Sequence, residues 1–159
     1  MSLTQPVSSD HQLARLLQIG VVLEEVVEAR AAKHAEETAE FDDELRTFMR
    51  EAAEESSEHR ERLEALVDEL DADTVPFEDI KLLVEERYEA ESDFDGVLYD
   101  QLCNEETAYK FYDDLIVALA ESDADFGIER ERLVSVLTEI RDEEAEGVEE
   151  VTQLMEARE

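Results

Sequence analysis

Two stretches carry the same three residues at the same offsets: Glu28-Ala-Arg-Ala31-Ala-Lys33 and Glu105-Glu-Thr-Ala108-Tyr-Lys110. Both lie in segments with helical periodicity, and in both the Glu falls on the apolar stripe. A carboxylate there is costly unless a proton, a cation or hydrogen bonds neutralise it. Inward carboxylates on facing helices are one way a helix bundle builds a metal site. Two further stripe positions carry ligand chemistry, His59 in one later segment and Glu144 in another. Glu28, His59, Glu105 and Glu144 are therefore the candidate metal ligands. Within that group Glu28, His59 and Glu144 make a set of two carboxylates and one imidazole, which suits Fe or Mn, and Zn less well.

Four amphipathic helices must position these groups. The first opens at Ser9, with Gln12 as its capping-box partner, and runs to about Thr38. Its stripe is Leu17, Val21, Glu24, Glu28, Ala31 and Ala35. The second spans about Asp42 to Leu70, along Leu45, Met49, Ala52, Ser56, His59, Leu63, Leu66 and Leu70. The third, capped by Asp95, carries Leu98, Gln101, Glu105, Ala108, Tyr112, Leu115 and Leu119. The fourth starts near Ile128 with Leu133, Leu137, Ile140, Glu144, Gly147, Val151 and Leu154 in line. These are the three-and-four steps of one helix face, and no segment alternates as a strand does.

The fold expected is all-α, a four-helix bundle forming one domain over residues 1–159. A short extra helix, from about Phe77 to Ala90, lies in the long link between helices two and three. A link of that length permits a crossover along the bundle, with helices two and three parallel. Helix one is also apolar off its stripe, at Ile19, Val22, Leu23 and Val26. The crossover helix or a second subunit must cover that side, and a homodimer burying Val22 and Val26 is expected.

The two halves can be overlaid. Shifting helix one by 77 places Glu24 and Glu28 over Gln101 and Glu105, and shifting helix two by 88 places Ser56 and His59 over Glu144 and Gly147. Helices two and four thus hold Ser-x-x-His and Glu-x-x-Gly, each half of a Glu-x-x-His pair. The set resembles the ferritin-like superfamily, its rubrerythrin-type members in particular. Those bundles carry Glu-x-x-Ala-x-x-x-Tyr on helices one and three and Glu-x-x-His on helices two and four, around two irons. Glu105, Ala108 and Tyr112 match that pattern fully. Glu28 and Ala31 match with Ala35 in place of Tyr, His59 matches with Ser56 in place of Glu, and Glu144 matches with Gly147 in place of His.

The resemblance implies a metal-binding protein, redox-active toward oxygen or peroxide or handling iron, with an incomplete site that holds at most one tightly bound ion. Glu24, Glu55 and Glu143 lie within a turn of a stripe ligand and can substitute. Tyr112 reads as a core aromatic whose hydroxyl supports a ligand carboxylate or another polar partner. The alternative is a helical dimer or scaffold with a vestigial site and no metal. Ser56 and Gly147 favour it, because they remove a bridging carboxylate and an imidazole.

Composition bounds the partners. The chain has 47 Asp and Glu against 14 Lys and Arg, for a formal charge of −33. That charge repels phosphates and argues against nucleic acid and anionic membranes. It is similar to the halophilic surfaces of proteins in salt-loaded cytoplasm, where screening softens self-repulsion. Cys103 is the only cysteine, which excludes an intramolecular disulfide, and it reads as a small buried hydrophobe. His11 and His34 lie off the stripes and read as surface residues. Met1 to Asp10 has neither a basic region nor an apolar run, so a cytoplasmic protein is expected.

Overall fold

The computed structural model describes residues 7–37, 43–70, 72, 74, 76, 78–79, 82 and 97–157. Four helices account for nearly all of them, and no strand occurs among the described residues. They are α1 (Asp10–Glu37), α2 (Asp43–Asp68), α3 (Val97–Ala120) and α4 (Arg130–Ala157). The expected Phe77–Ala90 helix and the Asp95 cap fall on positions lying largely or wholly outside the described residues. None of the four helices is long and apolar enough to cross a membrane.

Local chemistry sets the helix ends. Ser9 Oγ accepts the Gln12 N–H at 3.2 Å, and Gln12 Oε1 accepts the Ser8 N–H at 2.8 Å. The capping box is thus present, with its return bond one residue earlier than the usual pattern. Arg130, at the start of α4, donates to the carbonyls of Leu119, Ser122 and Ala124. It thereby satisfies acceptors that the end of α3 leaves open.

The pairs α1/α2 and α3/α4 pack most extensively, α1 also packs on α3, and α2 touches α4 only slightly. Contacts at the bundle ends fix which termini meet. At one end the Asp10 carboxylate accepts the Gly127 N–H at 3.0 Å, Ser122 Oγ donates to the Val7 carbonyl, and Arg132 pairs with Glu69 at 2.5 Å. So α1 and α4 begin where α2 and α3 finish. At the other end His34, late in α1, meets Asp100, early in α3, at 2.9 Å.

The apolar core is concentrated toward the end where α1 begins. Leu13, Leu17, Leu63, Leu66, Leu115, Leu119, Leu133, Leu137 and Ile140 are fully buried there. Each such side chain contributes about 1.5–3 kcal/mol by leaving water. Gly20 allows α1 its close approach in this layer, since a β-carbon there would stand 3.1 Å from Leu63 and 3.2 Å from Phe111. Toward the other end small residues, Ala31, Ala35, Ser56 and Ala108, share the interior with Val27, Met49 and Val151. The polar groups converge where large core residues give way to small ones.

Two expectations need correction. His34 is buried, because α1 has neighbours on two sides and its covered face is wider than one stripe. Cys103 is exposed, on the side of α3 turned away from its partners. Val22 and Val26 are half-buried against the chain's own core. His11 is exposed as expected.

Candidate metal centre

Each helix contributes to one polar cluster inside the bundle. Glu24 comes from α1, Ser56 and His59 from α2, Gln101, Glu105 and Tyr112 from α3, and Glu144 from α4, and all seven are buried. His59 is the hub. Its Nδ1 lies 3.1 Å from Glu144 Oε1 and 3.4 Å from Glu24 Oε1. Its Nε2 lies 2.5 Å from Glu143 Oε2 and 3.9 Å from Glu55 Oε1. Tyr112 donates its hydroxyl to Glu24 Oε1 at 2.7 Å, and Gln101 donates its amide to Glu105 Oε1 at 2.7 Å.

Three of the four expected ligands, His59, Glu105 and Glu144, are brought together. Glu28 is not among them. Its side chain is 31% exposed on the α1–α2 flank, 3.4 Å from the Arg60 guanidinium, which also holds Glu25 at 2.8 Å. Glu24, one turn earlier, takes the inward position. After Glu24 the buried face of α1 steps by three to Val27 rather than by four to Glu28. The signal was in the sequence, since Glu24 lies on the stripe, but the match between Glu28 and Glu105 outweighed it.

Gly147 has a direct structural reason. A β-carbon at this position would lie 2.6 Å from Glu105 Oε2 and 2.7 Å from its carboxyl carbon. The Glu105 carboxylate therefore fills the space that a side chain at 147 would need. Gly147→Ala should push that carboxylate aside and weaken its bond to Gln101. The gain in helix propensity, about 1 kcal/mol, should then be largely lost to a displaced buried acid. A net stabilisation of that full size in urea melts would mean Glu105 moves freely.

The electrostatics are lopsided. Among the described residues no Lys or Arg forms an ion pair with Glu24, Glu105 or Glu144, and the one cationic partner in contact is His59. Burial pushes the His59 pKa down, but the hydrogen bond and charge of Glu24, the bond to Glu143 and the charge of Glu55 outweigh it and raise the pKa to about 9. Without a metal the ring is thus an imidazolium at neutral pH, donating from both nitrogens. Burial raises Glu144 well above the usual carboxylate range, reinforced by the charge of Glu24 and by Glu105. Burial likewise raises Glu105, against the opposing hydrogen bonds from Glu144 and Gln101. Tyr112 is held as a neutral phenol by burial and by the charge of Glu24.

The donor set fits a metal ion. Glu24, His59 and Glu144 each present one ligand atom within 4.8 Å of the others, and all three are buried. Glu24 Oε2 is buried without a hydrogen-bond partner among the described residues. A buried carboxylate oxygen with no hydrogen-bond donor is a position that a cation can fill. The supporting bonds are also in place: Tyr112 orients Glu24, and Glu143 accepts from the ring nitrogen facing away from the set.

Two substitutions separate the rival ligands on α1. Glu24→Gln should remove tight metal binding, whereas Glu28→Gln should keep it and alter stability by less than about 1 kcal/mol, as expected of a partly exposed ion pair. Metal titration of the two purified variants reads this directly, and loss of binding in Glu28→Gln would reverse the assignment.

Comparison of the chain with protein-family models, with curated proteins and with solved structures gives no match.

Proposed function

We propose that this protein binds a single divalent transition-metal ion, Fe(II) or Mn(II), through Glu24, His59 and Glu144, in a four-helix bundle of ferritin-like topology. Glu105, which interacts with Glu144, is a further carboxylate beside the set. The observation that carries this reading is the convergence of buried carboxylates, one with an orphaned oxygen, on a single imidazole. The oxygen-rich set with one nitrogen favours Fe(II) or Mn(II) over the sulfur- and nitrogen-rich sites typical of structural zinc.

The topology rests on the ends of the helices. The end of α2 and the end of α3 meet the starts of α1 and α4. That arrangement of ends supports a ferritin-like crossover as the reading of the connection from α2 to α3. A second ion is disfavoured, because Ser56 offers no carboxylate and Glu105 occupies the space beside Gly147. An Fe(II) ion so held would supply redox chemistry toward oxygen or peroxide, or a place in iron handling. Tyr112, Gln101 and the surrounding apolar side chains would hold the carboxylates in position and exclude water. A homodimer through the outer face of α1, where Ile19 is exposed, belongs to the same reading.

A second reading has its own support: the cluster already balances itself, with His59 paired to Glu143 and Glu144 and with Glu105 and Glu144 sharing protons. That is how a vestigial site in a helical scaffold would look. Metal analysis of protein purified without chelator decides between the two. About one equivalent of iron or manganese per chain is expected. No metal, even after anaerobic loading with Fe(II), would favour the scaffold.

A further inference from the structure

The ligands Glu24, His59 and Glu144 are sealed from solvent, so an ion must reach them along a particular seam of the bundle. The four seams differ. On the α1–α2 side the carboxylates Glu25 and Glu28 are already held by the Arg60 guanidinium, at 2.8 and 3.4 Å. On the α1–α3 side stand buried Tyr112 and Gln101, with Arg30 hydrogen-bonded to Asn104 further along. On the α3–α4 side the Glu105 carboxylate is seated against Gly147. The α2–α4 seam, the most loosely packed of the four, carries Glu55 and Glu143. Both side chains are 42% exposed, and both approach His59 Nε2.

We infer that Glu55, Glu143 and His59 Nε2 form an outer transit position for the divalent cation, through which it passes between solvent and the inner ligands. This inference rests on the inner metal site proposed above. Each of the three residues presents one ligand atom within 4.8 Å of the others, so the outer group is a donor set in its own right. Unlike the inner set it opens to water, and an incoming ion can exchange its hydration shell for carboxylates one at a time.

The ring that closes the outer set also closes the inner one, through its other nitrogen. A neutral imidazole offers a lone pair on one nitrogen only. His59 can therefore ligate on one side at a time, and the two positions are alternatives rather than a pair of resident sites. The outer position is a way station, and the chain still holds one ion at equilibrium. Arg62 stands at the mouth, 4.0 Å from Glu143, with its charge engaged by Glu139.

A position on the path must change uptake and release by the same factor. The probe is Co(II), whose visible absorption reports coordination, mixed with the whole protein in a stopped-flow instrument. In Glu55→Gln, uptake and release should both slow by about tenfold, as loss of a focusing charge implies. Binding should remain at one Co(II) per chain. Arg62→Gln, which removes a repelling charge from the mouth, should speed uptake, an effect that damage to the fold would not produce. Glu131→Gln removes an exposed charge at the far end of α4 and should change the rates by less than about twofold in salt. Unchanged rates in Glu55→Gln, or the same slowing in Glu131→Gln, would overturn the transit role while leaving the inner site intact. Failure of the unaltered protein to take up Co(II) would overturn the inner site, and the transit position with it.

Discussion

His59→Ala should abolish tight metal binding and also destabilise the metal-free bundle by about 3 kcal/mol or more, as removal of one partner from a buried ion pair does. His59 touches Glu24 and Glu144 on one side and Glu143 on the other. Without it, Glu24 keeps the Tyr112 donor, Glu105 keeps the Gln101 donor, and Glu144 is left beside two other carboxylates. The acids can relieve this only by taking up protons, so the loss should be largest near neutral pH and should shrink as the pH passes 9, where His59 itself gives up its charge. Urea melts at fixed high salt read the stability, and Co(II) titration reads the binding. A change below about 1 kcal/mol would mean that water or a shift of α2 already solvates the cluster.

Raising the pH should destabilise the metal-free protein and strengthen metal binding over the same range. The His59 pKa rises from 6.5 to about 9 on folding, so its contribution is fully present below pH 6.5 and is lost as the pH rises through 9. The size of that contribution is on the order of 3 kcal/mol. The raised pKa values of Glu55, Glu105 and Glu144 act in the same direction, because folding favours their protonated forms. Glu55, raised from 4.5 to about 7, adds its share between those two values. A metal ion needs the same groups deprotonated and must displace their protons. Urea midpoints should therefore fall from pH 6 to pH 9.5 without metal and fall much less with saturating Mn(II). Equal slopes in the two series would place the metal away from His59.

The sequence made three of the helices legible to within a residue or two of the buried face. On α2, the stripe Met49, Ser56, His59, Leu63 and Leu66 is buried as its spacing requires, and on α4 so are Leu133, Leu137, Ile140, Glu144 and Val151. On α3, Gln101, Glu105, Ala108, Tyr112, Leu115 and Leu119 are all inside. These helices have polar outer faces that leave little doubt about the stripe. Helix α1 is different. Packed on both α2 and α3, it is apolar over a broad face, and spacing alone does not say whether the covered position after Glu24 is 27 or 28. The same breadth hid the burial of His34 and its bond to Asp100.

Within the site, the inward direction of His59, Glu105 and Glu144 followed from periodicity, and the reach of Tyr112 to a carboxylate followed from its place on the same stripe. The role of Gly147 could not be read this way. A glycine on a stripe looks like a missing ligand until the Glu105 carboxylate is found occupying its space. The outer carboxylates Glu55 and Glu143 were visible only as near neighbours of ligands. Their approach to the second nitrogen of His59 depends on how α2 and α4 face each other across the bundle.

Anaerobic calorimetric titration with Fe(II), run in parallel on the unaltered protein and on Glu144→Ala, tests the central claim most directly. The unaltered chain should bind one equivalent tightly, with proton release that scales with buffer ionisation heat, and Glu144→Ala should show no tight binding while remaining helical by circular dichroism. The same stoichiometry and affinity in both proteins would contradict the assignment of the ion to the cluster around His59.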